Sequence, residues 1–258
     1  MKTIIALAAL AIAGMTFASS ANPAGPEALS FRLSDELSSG RIQVHFESRG
    51  NGANNQWSDG FAPSELAGLD RSAVRSSGSR PVRFTLTREA GRVDCSGHGG
   101  SGTALGTCSA TADPAFLALL HDRGIEAPAG EQVVGLISLD VRRSLVEALA
   151  AARYPAPSLD DLFGLTALGV DAAYIEALSS AGYRPPSLST LMEFKALEID
   201  AAYVGGMRDA GYADLSPADL VQLKALDVTP GFARAAASPD GTRPSADELI
   251  TRKIFDRD

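Results

Sequence analysis

Residues 158–186 read SLDDLFGLTALGVDAAYIEALSSAGYRPP and residues 187–215 read SLSTLMEFKALEIDAAYVGGMRDAGYADL, a repeat with a period of 29. Ser158-Leu-Asp-Asp-Leu162 recurs as Ser187-Leu-Ser-Thr-Leu191, as Ser216-Pro-Ala-Asp-Leu220 and as Ser245-Ala-Asp-Glu-Leu249. Each opens with a serine ahead of a helical apolar pattern, which is an N-cap, and Ser245 with Glu248 makes a full capping box. Asp171, Asp200 and Thr229 open a second helix, followed three residues on by Tyr174, Tyr203 and Phe232. Gly182-Tyr183 and Gly211-Tyr212 end that helix with a glycine just past its last turn. The register extends upstream: Leu136, Leu139, Val141, Leu149 and Tyr154 match Leu165, Leu168, Val170, Leu178 and Tyr183. Asp113, Phe116, Leu120 and Gly124 match the second helix at twice the period. All five Tyr fall at two positions of this register, and every Lys except Lys2 falls at one, as Lys195, Lys224 and Lys253.

A pair of helices this short is marginal alone and must bury its apolar stripe against neighbours. The expectation for residues 111–258 is a short α-helical-hairpin repeat solenoid. Leu162, Leu165 and Leu168 should face Ile175 and Leu178, and tight corners such as Gly169-Val170 and Glu198-Ile199 should join the paired helices. The segment after Ser245 should cap the stack with Leu249, Ile250 and Phe255.

Upstream the period changes to two. Leu29, Phe31 and Leu33 share one face, as do Ile42, Val44 and Phe46, and Val82, Phe84 and Leu86; Val93 and Cys95 continue the pattern. Alternation of this kind marks half-buried antiparallel strands. Residues 22–110 therefore read as a small antiparallel β domain, and the chain as α+β. Gly/Ser/Asn-rich breaks at 49–55 and 76–79 separate strands, and Ser64–Leu69 reads as a short helical turn. Cys95 and Cys108 enclose a glycine-rich stretch, which predicts a hairpin turning near Gly100–Thr103 with a cross-strand disulfide. The rival, a metal site of Cys95, His98 and Cys108, would need His45 or His121 to complete four ligands.

Met1–Ala21 carries Lys2, an apolar run from Ile4 to Phe17, and small residues up to Ala21, the layout of a secretory signal peptide. The run is too short and interrupted for a membrane anchor. A periplasmic or secreted location follows, with no membrane span after cleavage, and it suits a disulfide. The net charge of −8 argues against nucleic acid, and residues 111–258 hold 13 basic against 22 acidic residues. Acids also stand at the corners, where a DNA-binding helical hairpin would receive phosphate.

The units LGVDAAYIEALSSAGY (168–183) and LDVTPGFARAA (226–236) resemble the LGVTP-x-[YF]-[IV]-type helical repeats of uncharacterised exported proteobacterial proteins. Similar repeats occur C-terminal to membrane metallopeptidases of the beta-lactam-sensor kind. The preceding VDCSGHGGSGTALGTCSATADPAF (93–116) resembles the strand segment that often adjoins them. The resemblance implies a shared periplasmic module; with no HExxH in the chain, it carries over no protease activity.

Little else in the sequence points to chemistry. The run Gly97-His98-Gly99-Gly100 resembles an esterase oxyanion loop, but no GxSxG elbow accompanies it, and no phosphate-binding GxxxxGK[ST] occurs. Asp160-Asp161 belongs to a helix's first turn, where the dipole accounts for acids. No cofactor and no catalytic residue is expected. The reading is an exported protein-interaction or accessory module with an unknown protein partner in the cell envelope. Ligand or cell-wall-glycan binding by the β domain is the alternative, with an unrecognised hydrolase behind it. Candidate binding-surface residues are Trp57, in the polar loop Asn54–Asp59, and the ladder Tyr154, Tyr183 and Tyr212, whose blander role is core filler.

Overall fold

The computed structural model describes residues 29–35, 40–50, 53–238 and 241–255. The signal-peptide segment Met1–Ala21 lies outside them. The fold is α+β, with one curled antiparallel sheet followed by helices. The strands are β1 (Leu29–Ser34), β2 (Ile42–Gly50), β3 (Ala53–Phe61), β4 (Leu66–Ala67), β5 (Arg80–Arg88), β6 (Gly91–Gly100) and β7 (Thr103–Ala112). They form a seven-stranded sheet in the order β3-β2-β1-β7-β6-β5-β4. The period-two residues on β1, β2, β5 and β6 are the buried ones, while Arg32, His45, Arg83 and Ser96 between them are exposed.

The β6–β7 hairpin pairs Cys95 with Cys108, bridged as a disulfide on the inner face. Closing a loop of this length stabilises by about 3 kcal/mol through the unfolded chain. Ser101 and Gly102, at φ +54° and +85°, make the two-residue turn. Most of the glycine run is strand rather than tip. A Cβ on Gly106 would lie 2.6 Å from Phe31 Cε1, so the missing side chain lets that ring settle on the sheet. Phe31 then meets Phe84 edge-on at 5.0 Å.

Three elements depart from the sequence reading. Asn54–Asp59 is strand, not loop: β3 pairs with β2 along its whole length, with Trp57 opposite Phe46. The strand lies at the sheet edge, where only Trp57 and Phe61 need apolar surroundings, so alternation is weak. The helical turn expected at Ser64–Leu69 is a 3-10 turn over Pro63–Glu65, and the chain then runs as strand β4. The third, α1 (Arg71–Arg75), is N-capped by Asp70 and was not expected. It presents Arg71 and Arg75 to the buried carboxylate of Asp35, at 2.6 and 2.8 Å. Hydrogen bonds from these guanidiniums outweigh burial and hold the Asp35 carboxyl below its ordinary range.

The remaining helices are α2 (Pro114–Asp122), α3 (Gly130–Ser138), α4 (Arg143–Ala151), α5 (Leu159–Ala167), α6 (Ala172–Ser180), α7 (Leu188–Ala196), α8 (Ala201–Asp209), α9 (Pro217–Ala225), α10 (Pro230–Ala235) and α11 (Ala246–Phe255). Ser158, Asp171, Ser187, Asp200, Ser216, Thr229 and Ser245 each accept a hydrogen bond from the amide three residues on. At the opposite ends, Gly124, Arg153, Gly182 and Gly211 have positive φ, as do Asp140, Gly169, Glu198 and Asp227, two series with the 29-residue spacing. The next amide then reaches back, for example Val170 to the Leu165 carbonyl at 2.8 Å and Tyr183 to Leu178 at 3.0 Å, closing each helix. Odd-numbered helices from α3 touch one another in succession, and even-numbered helices from α2 do the same.

The sheet grips the first helices. α3 packs against β3, β5, β6 and β7, with Trp57 and Phe163 crowded over Gly135, where a Cβ would fall 2.7 Å from the indole nitrogen. Arg88 reaches Glu65 and, at 3.5 Å, Asp140. Glu89 accepts from the Arg143 amide at 2.8 Å, capping α4, whose own N-cap position holds Arg142. The two halves thus share one contiguous apolar core.

Leu162, Leu165, Ile175 and Leu178 are buried as expected, but Leu168 is 41% exposed. At the C-terminal end Leu249 is fully buried and Ile250 partly, whereas Phe255 is 72% exposed. Phe255 sits at the final turn of α11.

Candidate functional site

The tyrosines lie in the joints between successive helix pairs. Tyr154 is 8% exposed; its hydroxyl donates to the Pro185 carbonyl at 3.0 Å, and Arg184 lies over its ring at 4.7 Å. Tyr183 is half-buried and stacks on Phe194 at 5.6 Å. Tyr212 is half-buried too, with a hydroxyl sealed from solvent and without a partner among the described residues. Burial pushes all three phenols above their ordinary range. Tyr154 therefore has no hydroxyl to offer a ligand, and the ladder works first as joint packing.

The other aromatic position builds a lock. Lys195 sits over Tyr174 at 4.5 Å, Lys224 over Tyr203 at 5.1 Å and Lys253 over Phe232 at 5.2 Å. The Tyr174 hydroxyl donates to the Ile199 carbonyl at 2.7 Å, and that of Tyr203 to Val228 at 2.9 Å, so each ring is tied to the next corner. Burial, reinforced by Asp227, pushes Tyr203 up to about 12; burial with Asp200 raises Tyr174 as well. Arginines add a second tie. Arg184, Arg208, Arg243 and Arg252 donate to the carbonyls of Ala152, Ala181, Ala210 and Ala236 at preceding helix ends.

Two depressions stand out. One, of about 510 Å³, opens between the first two corners and is lined by Leu139, Asp140, Leu145, Thr166, Val170 and Asp171, among others. Thr166 Oγ1 is sealed in its wall without a hydrogen-bond partner. The other, of about 410 Å³, lies on the outer sheet face among Arg32, His45, Glu47, Gln56, Ser58 and Leu105. There Ser58 Oγ and His45 Nδ1 are 2.7 Å apart, both exposed. Trp57 borders this hollow through its strand, but it pairs with Phe46 on the inner face and its indole nitrogen is turned to α3. Sequence reasoning named Trp57 and the polar stretch around it, but not Arg32, His45 and Glu47 on the neighbouring strands.

A row of apolar residues also remains at the surface. Leu139, Leu168, Leu197, Leu226 and Phe255 occupy one register position, half-buried or exposed, beside the corner acids Asp140, Glu198 and Asp227. Among the described residues, no cluster of three or more His, Cys, Asp or Glu could hold a metal ion, and no single helix is long and apolar enough to cross a membrane. No family model matches the chain, and neither a curated protein nor a solved structure matches it.

Proposed function

We propose that the chain is an exported protein-interaction or accessory module, its helix pairs forming a short solenoid whose first end is closed by the sheet. One observation carries this reading: the hydroxyls of Tyr154, Tyr174 and Tyr203 are spent on the joints of the array, while one edge keeps an apolar row. That row runs from Leu139 to Phe255 beside the corner acids. Stacked helix pairs present such edges to protein partners, and the acids favour a basic one. Full-length protein, cross-linked in envelope extract, should capture a partner in a salt-sensitive way. Leu168→Glu combined with Leu197→Glu should reduce capture at least tenfold, while circular dichroism stays unchanged. Equal capture by both proteins would refute the proposal. Export is tested separately: the mature chain should begin at Asn22 and fractionate with the periplasm.

The outer sheet face supports a second reading, binding of a polar ligand such as a cell-wall glycan. Its basis is the hollow around Arg32, His45, Gln56 and Ser58 rather than Trp57. Titration with muropeptides should shift the His45 ring resonances if it is correct, and leave them still if it is not.

A further inference from the structure

Strand β3 is an edge strand whose free side is closed at one end and open beyond it. Its register with β2 runs without a bulge from Phe61 opposite Ile42 to Ala53 opposite Gly50. Gly60 lies opposite Gln43, yet its amide donates to the Asp59 carboxylate at 2.6 Å and its carbonyl accepts from Arg41 Nε at 2.7 Å. The main chain of Gly60 is thus turned away from β2, and those two side chains cover it. Main-chain groups alternate in direction along an antiparallel strand, so those of Ser58 and Gln56 are turned to the same free side. Both residues are exposed, and nothing among the described residues bonds to these outward amides and carbonyls. The devices that block an edge are missing here: β3 has no Lys, no Pro and no bulge. Trp57, between the two, is half-buried, and Asp59 is exposed on the same face, with no ion pair among the described residues.

We propose that this edge binds an extended polypeptide segment of a partner by strand addition, with an apolar residue beside Trp57 and a basic one beside Asp59. An antiparallel segment would exchange two main-chain hydrogen bonds with Ser58 and two with Gln56. Its residue opposite Trp57 would fall at a non-hydrogen-bonded position, where cross-strand side chains come closest, and would cover the exposed part of the indole. Charge selects the occupant. A second copy would bring another net charge of −8 to the edge, whereas Lys or Arg in a foreign segment would meet Asp59. The segment would end there, because Arg41 closes the strand at Gly60. This edge is separate from the apolar row of the helix array, so the two surfaces can fail independently.

The test is NMR titration of the full chain with the peptide acetyl-Lys-Thr-Val-Thr-Thr-amide, whose first four residues would face Asp59, Ser58, Trp57 and Gln56. Binding should shift the Ser58 and Gln56 amide resonances and slow their hydrogen exchange. N-methylation of the two threonines that face Ser58 and Gln56 should weaken binding at least tenfold. N-methylation of the valine, whose amide points away from β3, should change it less than twofold. Glu in place of the peptide's Lys should weaken binding at least threefold. Ser58→Pro removes one outward amide without touching the β2 ladder and should weaken binding at least tenfold; if that variant does not fold, the methylated peptides decide. Leu168→Glu with Leu197→Glu should bind the peptide as wild type does. No shift of the two amides at millimolar peptide overturns the proposal, as does equal binding by the doubly methylated or the Glu peptide, or loss of binding in the leucine variant. A dimer in sedimentation that Ser58→Pro dissociates assigns the edge to a second copy and overturns it as well.

Discussion

At the residue scale the joints depend on single polar atoms placed in apolar surroundings. Tyr174 and Tyr203 each surrender a hydroxyl to a corner carbonyl, and removing it leaves that carbonyl short of a donor. Tyr203→Phe should cost about 1 kcal/mol in chemical denaturation. The phenol also sets a pH limit. Its folded value of about 12 lies above the ordinary 10, so the stability it contributes is fully present below pH 10 and is lost as pH rises towards the folded value. An alkaline titration of unfolding free energy should therefore fall beyond pH 10, and less steeply in Tyr203→Phe. Backbone strain acts at the same scale. Glu198 holds φ +55° at a corner where Gly169 holds +74° in the preceding unit. Relief of a left-handed non-glycine residue predicts that Glu198→Gly stabilises by about 1 kcal/mol, an unusual sign for a glycine substitution. An unchanged denaturation midpoint would show that the corner bears no strain.

At the scale of elements, the seam between sheet and helices turns on α3, where Gly135 leaves room for Trp57 and Phe163. Gly135→Ala gains helix propensity of about 1 kcal/mol, but the added methyl must displace the indole, and overpacking of this kind costs about 1–3 kcal/mol. The expected net result is a lower melting temperature with a red-shifted Trp57 emission; a more stable protein with unchanged emission would contradict it. None of this packing was legible in advance. The helices were, because serine and aspartate caps recur with fixed spacing and each cap needs only local partners. The disulfide hairpin was legible for the same reason. Strand β3 was not: an edge strand is paired on one side, so ANNQWSDGF (53–61) carries two large apolar residues, and its Asn54–Asp59 reads as loop. Nor was α1, five residues long, whose placement depends on Asp35, distant in sequence and just past the end of β1.

For the whole molecule, the helix pairs are held between two different ends. The sheet closes the first end through α3, the Arg88 ion pairs and Glu89 on α4. The other end has only α11, which reaches α9 through fully buried Leu249, with Lys253 over Phe232 and Arg252 on the Ala236 carbonyl. A helix array of this kind gains much of its stability from contacts between neighbours, so the end with the smaller contact should open first. Removing residues 244–258 takes away the cover of Phe232 and Leu226 and should lower the melting temperature or cause aggregation. Point variants then separate cover from tail. Leu249→Ala opens a cavity in the seam and should cost about 2–4 kcal/mol, whereas Phe255→Ala, at a side chain mostly in solvent, should change stability by no more than about 0.5 kcal/mol. Hydrogen exchange should show α10 and α11 unprotected well before α3 in wild type. If the truncated chain melts like the full one and stays monomeric, α11 is an appended helix, and the array is stable with α9 and α10 as its own end.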